Sequence, residues 1–213
     1  MSTTRILLLG PPGAGKGTQS ARIAETFALE HITTGDALRS RKDMETEYGT
    51  PREYMDAGEL VPDPVVNEIV QAAIDEADGF VLDGYPRNQE QAAYLDDIID
   101  LDLVISLEVS RDELITRLTG RRVCSECGRN YHVEFAPPAT DGVCDECGGD
   151  IVQRDDDTRD TVEERLAVFE ETTKPVIDHY QTHHAYHTVD GEQSPDAVFE
   201  DLASIIEAVD DTA

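Results

Sequence analysis

The segment that most restricts this chain is a glycine loop set between an apolar run and a helical pattern. Arg5-Leu9 reads as a buried strand, Gly10-Pro11-Pro12-Gly13-Ala14-Gly15-Lys16-Gly17-Thr18 follows at once, and Gly15-Phe27 carries helical spacing. Glycines let backbone N–H groups converge on an anion, the helix N-terminus adds its positive dipole end, and Lys16 adds a point charge for β- and γ-phosphates. Strand, loop and helix in that order form a cradle for a nucleoside triphosphate, with Gly13, Ala14, Gly15, Lys16, Gly17 and Thr18 as its contacts. The strict form of the loop has Ser or Thr directly after the lysine; here Gly17 stands there and Thr18 follows.

Further strands are expected at Phe80-Leu82, Leu103-Val109 and Ala185-Val189, with a weaker one at His31-Thr33. The first two, like Arg5-Leu9, are bounded by Gly or Asp and apolar on both faces, as in a buried parallel sheet. Helical spacing fills Pro64-Ala77, Gln89-Ile99, Arg111-Leu118 and Thr161-Thr182, and Ser194-Val209 adds a last helix with Pro195 at its first position. This alternation predicts an α/β fold: a three-layer P-loop core around a parallel five-stranded sheet, with the ligand crevice at the carboxyl ends of the strands. Two segments break the rhythm. Arg39-Leu60 is polar, holds Gly49, Pro51 and Gly58, and reads as an insertion with small helices. Gly120-Asp157 is rich in Gly, Pro and Cys, alternates at Tyr131-Val133-Phe135, and reads as an inserted lobe of β type.

That lobe contains Cys124-x2-Cys127 and Cys144-x2-Cys147, with Gly128 and Gly148 allowing a tight turn after each pair. The spacing suits one tetrahedral Zn²⁺ per chain, structural because four protein ligands leave no open position. Two disulfides are the alternative, and the expected cytoplasmic location argues against them. Ile6-Leu9 is too short for a signal sequence and runs into glycines, and no apolar run approaches the ~18 residues of a membrane span. A zinc ribbon can bind nucleic acid, but Glu134, Asp141, Asp145 and Glu146 make this one acidic.

Charge supports the exclusion. The 213 residues hold 17 Lys and Arg against 46 Asp and Glu, a formal −29, so no nucleic-acid partner is expected. With 39% apolar residues the chain still has material for a core, which argues against a disordered acidic tail. Lys occurs only at Lys16, Lys42 and Lys174. Acidity with few lysines fits adaptation to molar salt, where a Debye length of about 3 Å screens carboxylate repulsion.

The loop with Gly17 is joined by Thr34-Gly35-Asp36-Ala37-Leu38-Arg39, Asp56-Ala57-Gly58-Glu59-Leu60-Val61, Leu82-Asp83-Gly84-Tyr85-Pro86-Arg87 and Gly120-Arg121-Arg122. In these motifs, their order and their spacing, essentially the whole chain resembles the adenylate kinase family. The resemblance implies ATP + AMP ⇌ 2 ADP with Mg²⁺, carried out by a monomer. It implies a core of residues 1–32, 62–119 and 158–213, an AMP-binding insertion at 33–61 and a zinc lid at 120–157.

A phosphate acceptor with a second pKa of about 6 is already largely dianionic, so no catalytic His or Glu is expected. The task is to hold two anions in line and neutralise the moving charge, which suits the arginine fork. By resemblance, Arg39 and Arg87 grip the AMP phosphate, and Arg121, Arg154 and Arg165 surround the phosphates with Lys16. Arg117 stacks on the ATP adenine and Asp83 holds Mg²⁺-bound waters. AMP selectivity falls to Thr34, Glu59, Leu60, Val61, the Gly84-Tyr85-Pro86 segment and Gln91. The ATP base lies near Asn130, Tyr131 and Gln193. Asp156-Asp157 look like an acidic pair at the lid hinge. His179, His183, His184 and His187 read as a solvated cluster without a metal. The rivals are a UMP or CMP kinase, a GTP-dependent one, and a non-catalytic zinc-dependent nucleotide or RNA-binding module, which would need a basic stripe this sequence lacks.

Overall fold

In the computed structural model, which describes residues 3–210, each central strand sends its side chains into two different cores. Residues 1–2 and 211–213, the outer ends of the two terminal core stretches, lie outside the described residues. In β1 (Arg5–Leu9), Leu7 and Leu9 enter one cluster, and Ile6 and Leu8 the other. The chain continues through α1 (Lys16–Phe27), β2 (Glu30–Thr33), α2 (Thr34–Ser40), α3 (Pro51–Ala57), α4 (Asp63–Asp75), β3 (Phe80–Asp83) and α5 (Gln89–Ile98). It then forms β4 (Leu103–Glu108), α6 (Arg111–Gly120), β5 (Arg121–Cys124), β6 (Asn130–His132) and β7 (Ile151–Val152). It ends with α7 (Arg159–Val168), α8 (Lys174–Tyr180), β8 (Tyr186–Asp190) and α9 (Pro195–Asp210).

The expected parallel sheet is present, in the order β2-β3-β1-β4-β8. One face is covered by α4, α5 and α8 through Ile69, Leu95 and Tyr180. The other is covered by α1, α6, α7 and α9 through Ile23, Leu118, Leu166 and Leu202. Fully burying each such aliphatic side chain contributes about 1.5–3 kcal/mol. The register aligns Leu8 with Asp83 and Leu9 with Ser106, so the glycine loop, Thr34 and Gly84 all emerge at one edge of the sheet.

The first insertion forms α2 and α3, each started by a threonine. Thr33 accepts from Asp36 N, and Thr50 and Glu53 make a reciprocal capping box with Pro51 at the first helical position. In the second, β6-β5-β7 form an antiparallel sheet over a core of only Cys124, Tyr131 and Cys144, with Ile151 against it. The expected alternation stops at Tyr131: Val133 and Phe135 are 50% and 60% exposed. His132 is the cause, because its Nδ1 faces the backbone N–H groups of both Glu134 and Phe135 and turns the chain out of the strand.

Thr161-Thr182 is not one regular helix, as its spacing predicts. Between α7 and α8 the turn Phe169–Thr173 is π-helical, with Lys174 N donating to Phe169 O. Pro175 has no N–H for Glu171 O and crowds it, so the regular ladder cannot pass this point. The wider turn swings the buried face. Val162 and Leu166 pack in one core cluster, Val176 and Tyr180 in the other, and the residues between them span the carboxyl edge of the sheet. Among the described residues, no helix is long and apolar enough to cross a membrane.

Candidate functional site

The glycine loop turns sharply because Gly10, Gly13 and Gly15 all have positive φ, and a Cβ on Gly13 would lie 2.9 Å from Leu118 Cγ. It delivers Lys16 to the first position of α1, where Nζ folds back to Gly10 O at 2.7 Å and Pro11 O at 3.0 Å. Burial draws the Lys16 ammonium below the usual lysine range; Asp83 opposes the shift, and Arg87 and Arg165 add to it.

Two cavities open on either side of this lysine. One, of about 610 Å³, is walled by Thr34, Gly35, Gly84, Tyr85, Pro86 and Arg87, with the π turn across from them. The other, of about 770 Å³, is walled by the loop from Gly13 to Thr18, by Arg117 and Arg121, by Asn130 and Tyr131, and by Gln193. Lys16, Asp83 and Arg165 line both. The two chambers therefore share one cationic floor with one carboxylate in it.

In the smaller chamber, Thr34 Oγ1 donates to Gly84 O at 2.8 Å and locks the start of α2 to the end of β3. Arg87 Nε donates to Gly84 O at 2.7 Å. Arg39 lies over Gly35, 3.1 Å from where its Cβ would be, and pairs with Asp36 at 2.7 Å, holding that carboxyl below the usual range. Six expected contacts are not brought to this wall: Arg39, Arg154, Glu59, Leu60, Val61 and Gln91. Glu59, Leu60 and Val61 follow α3 away from it, Leu60 being 95% exposed. Gln91 is buried, donating to Asp63 Oδ1 at 2.7 Å and accepting from Arg87 N at 2.8 Å. Each end of that amide is thus engaged within the protein.

In the larger chamber, Arg117 is oriented by Glu113 at 2.7 Å and Gly191 O at 2.8 Å. Gln193, on the wall, donates its amide nitrogen to Asp201 and to Asp190 O. The remaining arginines converge on the two aspartates after the lobe. Asp157, fully buried, takes both arms of Arg121 at 2.6 and 2.8 Å. Asp156 takes both arms of Arg154, and Arg165 reaches both aspartates at 3.0 and 3.3 Å. The two carboxylates hold three guanidinium groups, of which Arg121 and Arg165 line the larger chamber and Arg154 lines neither.

Sequence reasoning missed Phe169, Thr172 and Thr173, which wall the smaller chamber; the signal was Pro175 inside a helical pattern. It also missed His132 and Phe135, stacked at 4.3 Å beside the larger one.

The four cysteines are the one group of three or more potential metal ligands brought together among the described residues, with sulfurs all within 4.8 Å of one another. Cys124 and Cys147 sulfurs lie 3.5 Å apart, Cys127 and Cys144 3.6 Å. A disulfide needs about 2.05 Å. Thiolates about 2.3 Å from a tetrahedral zinc would be about 3.8 Å apart, so the donor set fits that ion. The Tyr131 hydroxyl donates to Cys144 Sγ at 3.3 Å and draws that thiol down to about 6. Of the histidines, His179 bonds Asp96 at 2.7 Å.

The adenylate kinase family model matches residues 8–185. The chain is 62% identical over 213 residues to adenylate kinase of Haloarcula marismortui, covering 98% of this chain and 99% of that one. It is 63% identical over 207 residues to adenylate kinase of Natronomonas pharaonis, with 97% and 98% covered. With adenylate kinase of Halobacterium salinarum the identity is 56% over 212 residues, with 97% and 98% covered. Given this agreement along nearly the whole length, around a glycine loop flanked by two chambers, the chain belongs to the adenylate kinase family.

Proposed function

We propose that the protein transfers the terminal phosphoryl group of ATP to AMP, reversibly, giving two ADP, with ATP in the larger chamber and AMP in the smaller. The observation that carries this is the shared floor: two nucleotide-sized spaces meet at Lys16, Asp83 and Arg165. A hydrolase needs one such space; a phosphotransferase between nucleotides needs two.

The AMP phosphate, already dianionic, attacks the γ-phosphorus in line, and no protein base is required. The glycine loop from Gly13 to Thr18 and Lys16 cradle the donor phosphates, while Arg39, Arg87 and Arg165 hold the acceptor. Arg121 and Arg154 come in from the lobe. In the structure their arms are held by Asp156 and Asp157, so substrate phosphates take over contacts that carboxylates keep pre-ordered. Asp83 would hold the Mg²⁺ that arrives with the nucleotide, which supplies charge neutralisation. Thr34 and the Gly84 carbonyl bound the acceptor base. Glu59, Leu60 and Val61 join it only if the 33–61 insertion moves inward, and Gln91, in the core, only by giving up Asp63 or the Arg87 N–H; 120–157 acts as the lid over ATP, its closure excluding water. Residues 1–32, 62–119 and 158–213 remain the fixed core.

Cys124, Cys127, Cys144 and Cys147 would hold one Zn²⁺, which cross-links the lobe and takes no part in transfer. We further infer a cytoplasmic monomer, and one adapted to high salt, the adaptation being supported by the −29 net charge.

The test is an acceptor and donor exchange. Protein with Mg²⁺ in molar KCl should form ADP from ATP plus AMP, at rates well above those with UMP or CMP as acceptor or GTP as donor. No ADP from ATP plus AMP sinks the reading. Arg87→Lys should lower turnover by at least about 100-fold, because an ammonium cannot reproduce a bidentate clamp. In dilute buffer both activity and folding should fail and recover with KCl; equal stability without salt would give the acidity another cause.

A further inference from the structure

Neighbouring threonines in the π turn use their hydroxyls in different ways. Thr172 Oγ1 bonds back to Val168 O at 2.8 Å, the ordinary habit of a helical threonine. Thr173, at the first turn of α8, makes no capping bond. Its hydroxyl lies 3.4 Å from that of Thr172 and donates instead to Arg87 O, 86 residues away, at 2.8 Å.

Arg87 is held at three points. Its Nε donates to Gly84 O and its N to Gln91 Oε1, and both partners belong to its own β3–α5 segment. Thr173 supplies the third, and it comes from the helical run that carries Arg165 eight residues earlier. Arg87, Arg165 and Thr173 line the same chamber. The two arginines start from different elements, so convergence on one phosphate requires those elements to keep a fixed spacing.

We propose that Thr173 is a positioning residue for phosphoryl transfer: its hydroxyl fixes the Arg87 backbone relative to Arg165, so that both guanidinium groups meet the acceptor phosphate. The inference rests on the functional reading above and deepens it. The π turn forced by Pro175 is what brings this hydroxyl to the wall. Loss of the tie leaves Arg87 with its local bonds but free to drift from Arg165, and a displacement near 1 Å can cost about 100-fold in rate.

The test compares Thr173→Val, which keeps shape and loses the hydroxyl, with Thr173→Ser, which keeps the hydroxyl. T173V should lower kcat about 10- to 100-fold and raise KM for AMP, with KM for ATP and the thermal midpoint unchanged. T173S should stay within about threefold of the parent. In an Arg87→Lys background the T173V effect should shrink below twofold. The inference fails if T173V keeps parental kcat and KM for AMP, if T173S falls as far as T173V, or if the loss persists in full beside R87K. Thr173→Ala gives the same comparison should the valine variant not fold. Wild-type protein that makes no ADP would overturn the functional reading and this inference with it; an active parent with an unaffected T173V overturns this inference alone.

Discussion

The parallel sheet and the cysteine lobe solve the folding problem in opposite ways. The sheet has two apolar clusters, with Ile6, Leu7, Ile69, Leu82 and Leu103 fully buried. The lobe buries Cys124, Tyr131 and Cys144, and leaves Val133, Phe135, Val143 and Val152 at least 41% exposed. A three-residue core cannot offset the entropy of ordering some thirty residues. One region is held by burial; under the zinc reading proposed above, the other is held through its four sulfurs, which would leave it able to move as a cover.

Removing the lobe's staple should produce the largest effect. Replacing Cys144 and Cys147 by Ser, or stripping metal with a strong chelator, should open residues 121–152 to protease while the sheet stays resistant. Zinc should fall from one per chain to none by elemental analysis, and transfer activity by at least about 100-fold. Unchanged proteolysis and activity would show that the lobe needs no metal.

The converse experiment strikes the sheet. Leu82→Ala removes a fully buried β3 side chain from the cluster beneath α4, α5 and α8 and should cost about 2–5 kcal/mol of global stability. Denaturant unfolding should show it, and the zinc content of folded protein should not change. A matching loss of zinc would mean that the two regions unfold as one unit.

The same contrast explains what was legible in the sequence. Strands apolar on both faces, the glycine loop and the paired cysteines announce themselves locally, because burial on two sides, positive φ and metal spacing each restrict residue type. The junctions do not. Pro175 marks an interruption, but that the turn would be π-helical and carry Thr173 to Arg87 depends on the two cores into which α7 and α8 must dip. Phe135 continues a strand pattern that His132 ends by binding the next backbone N–H groups. Gln91 has the right chemistry for a base edge, yet Asp63 and the Arg87 N–H claim it. The aspartates at 156 and 157 look like an acidic pair at the lid hinge, and only the fold shows Asp157 fully buried between two arginines.

Those aspartates connect the regions, so they can sharpen the comparison. Asp157→Asn keeps the shape but removes the charge facing Arg121 and Arg165, whose side chains are 23% and 30% exposed. Full burial of the pair would make the change cost 3–5 kcal/mol; water reaching the arginines lowers the expectation to about 1–3 kcal/mol. Because Arg121 sits at the start of β5 and Arg165 in α7, the lobe should become easier to open, read as faster proteolysis with the zinc retained. An Asn variant with parental stability and proteolysis would place the connection elsewhere, at Gln153 and its bonds to Thr119 O and Asp157 O.

The smallest change distinguishes two roles for one side chain. Tyr131 lines the larger chamber, but its hydroxyl donates to Cys144 Sγ at 3.3 Å and accepts from Asp145 N at 2.8 Å. Tyr131→Phe keeps the ring and deletes only those bonds. If the hydroxyl serves the cysteines, metal affinity should drop about 10-fold in chelator competition, as for other groups that orient a ligand, while KM for ATP holds. If it serves the nucleotide, KM for ATP should rise and zinc should stay. The bond lengths favour the first outcome, in which a lobe too small to be held by burial uses even its one buried aromatic to support the sulfurs.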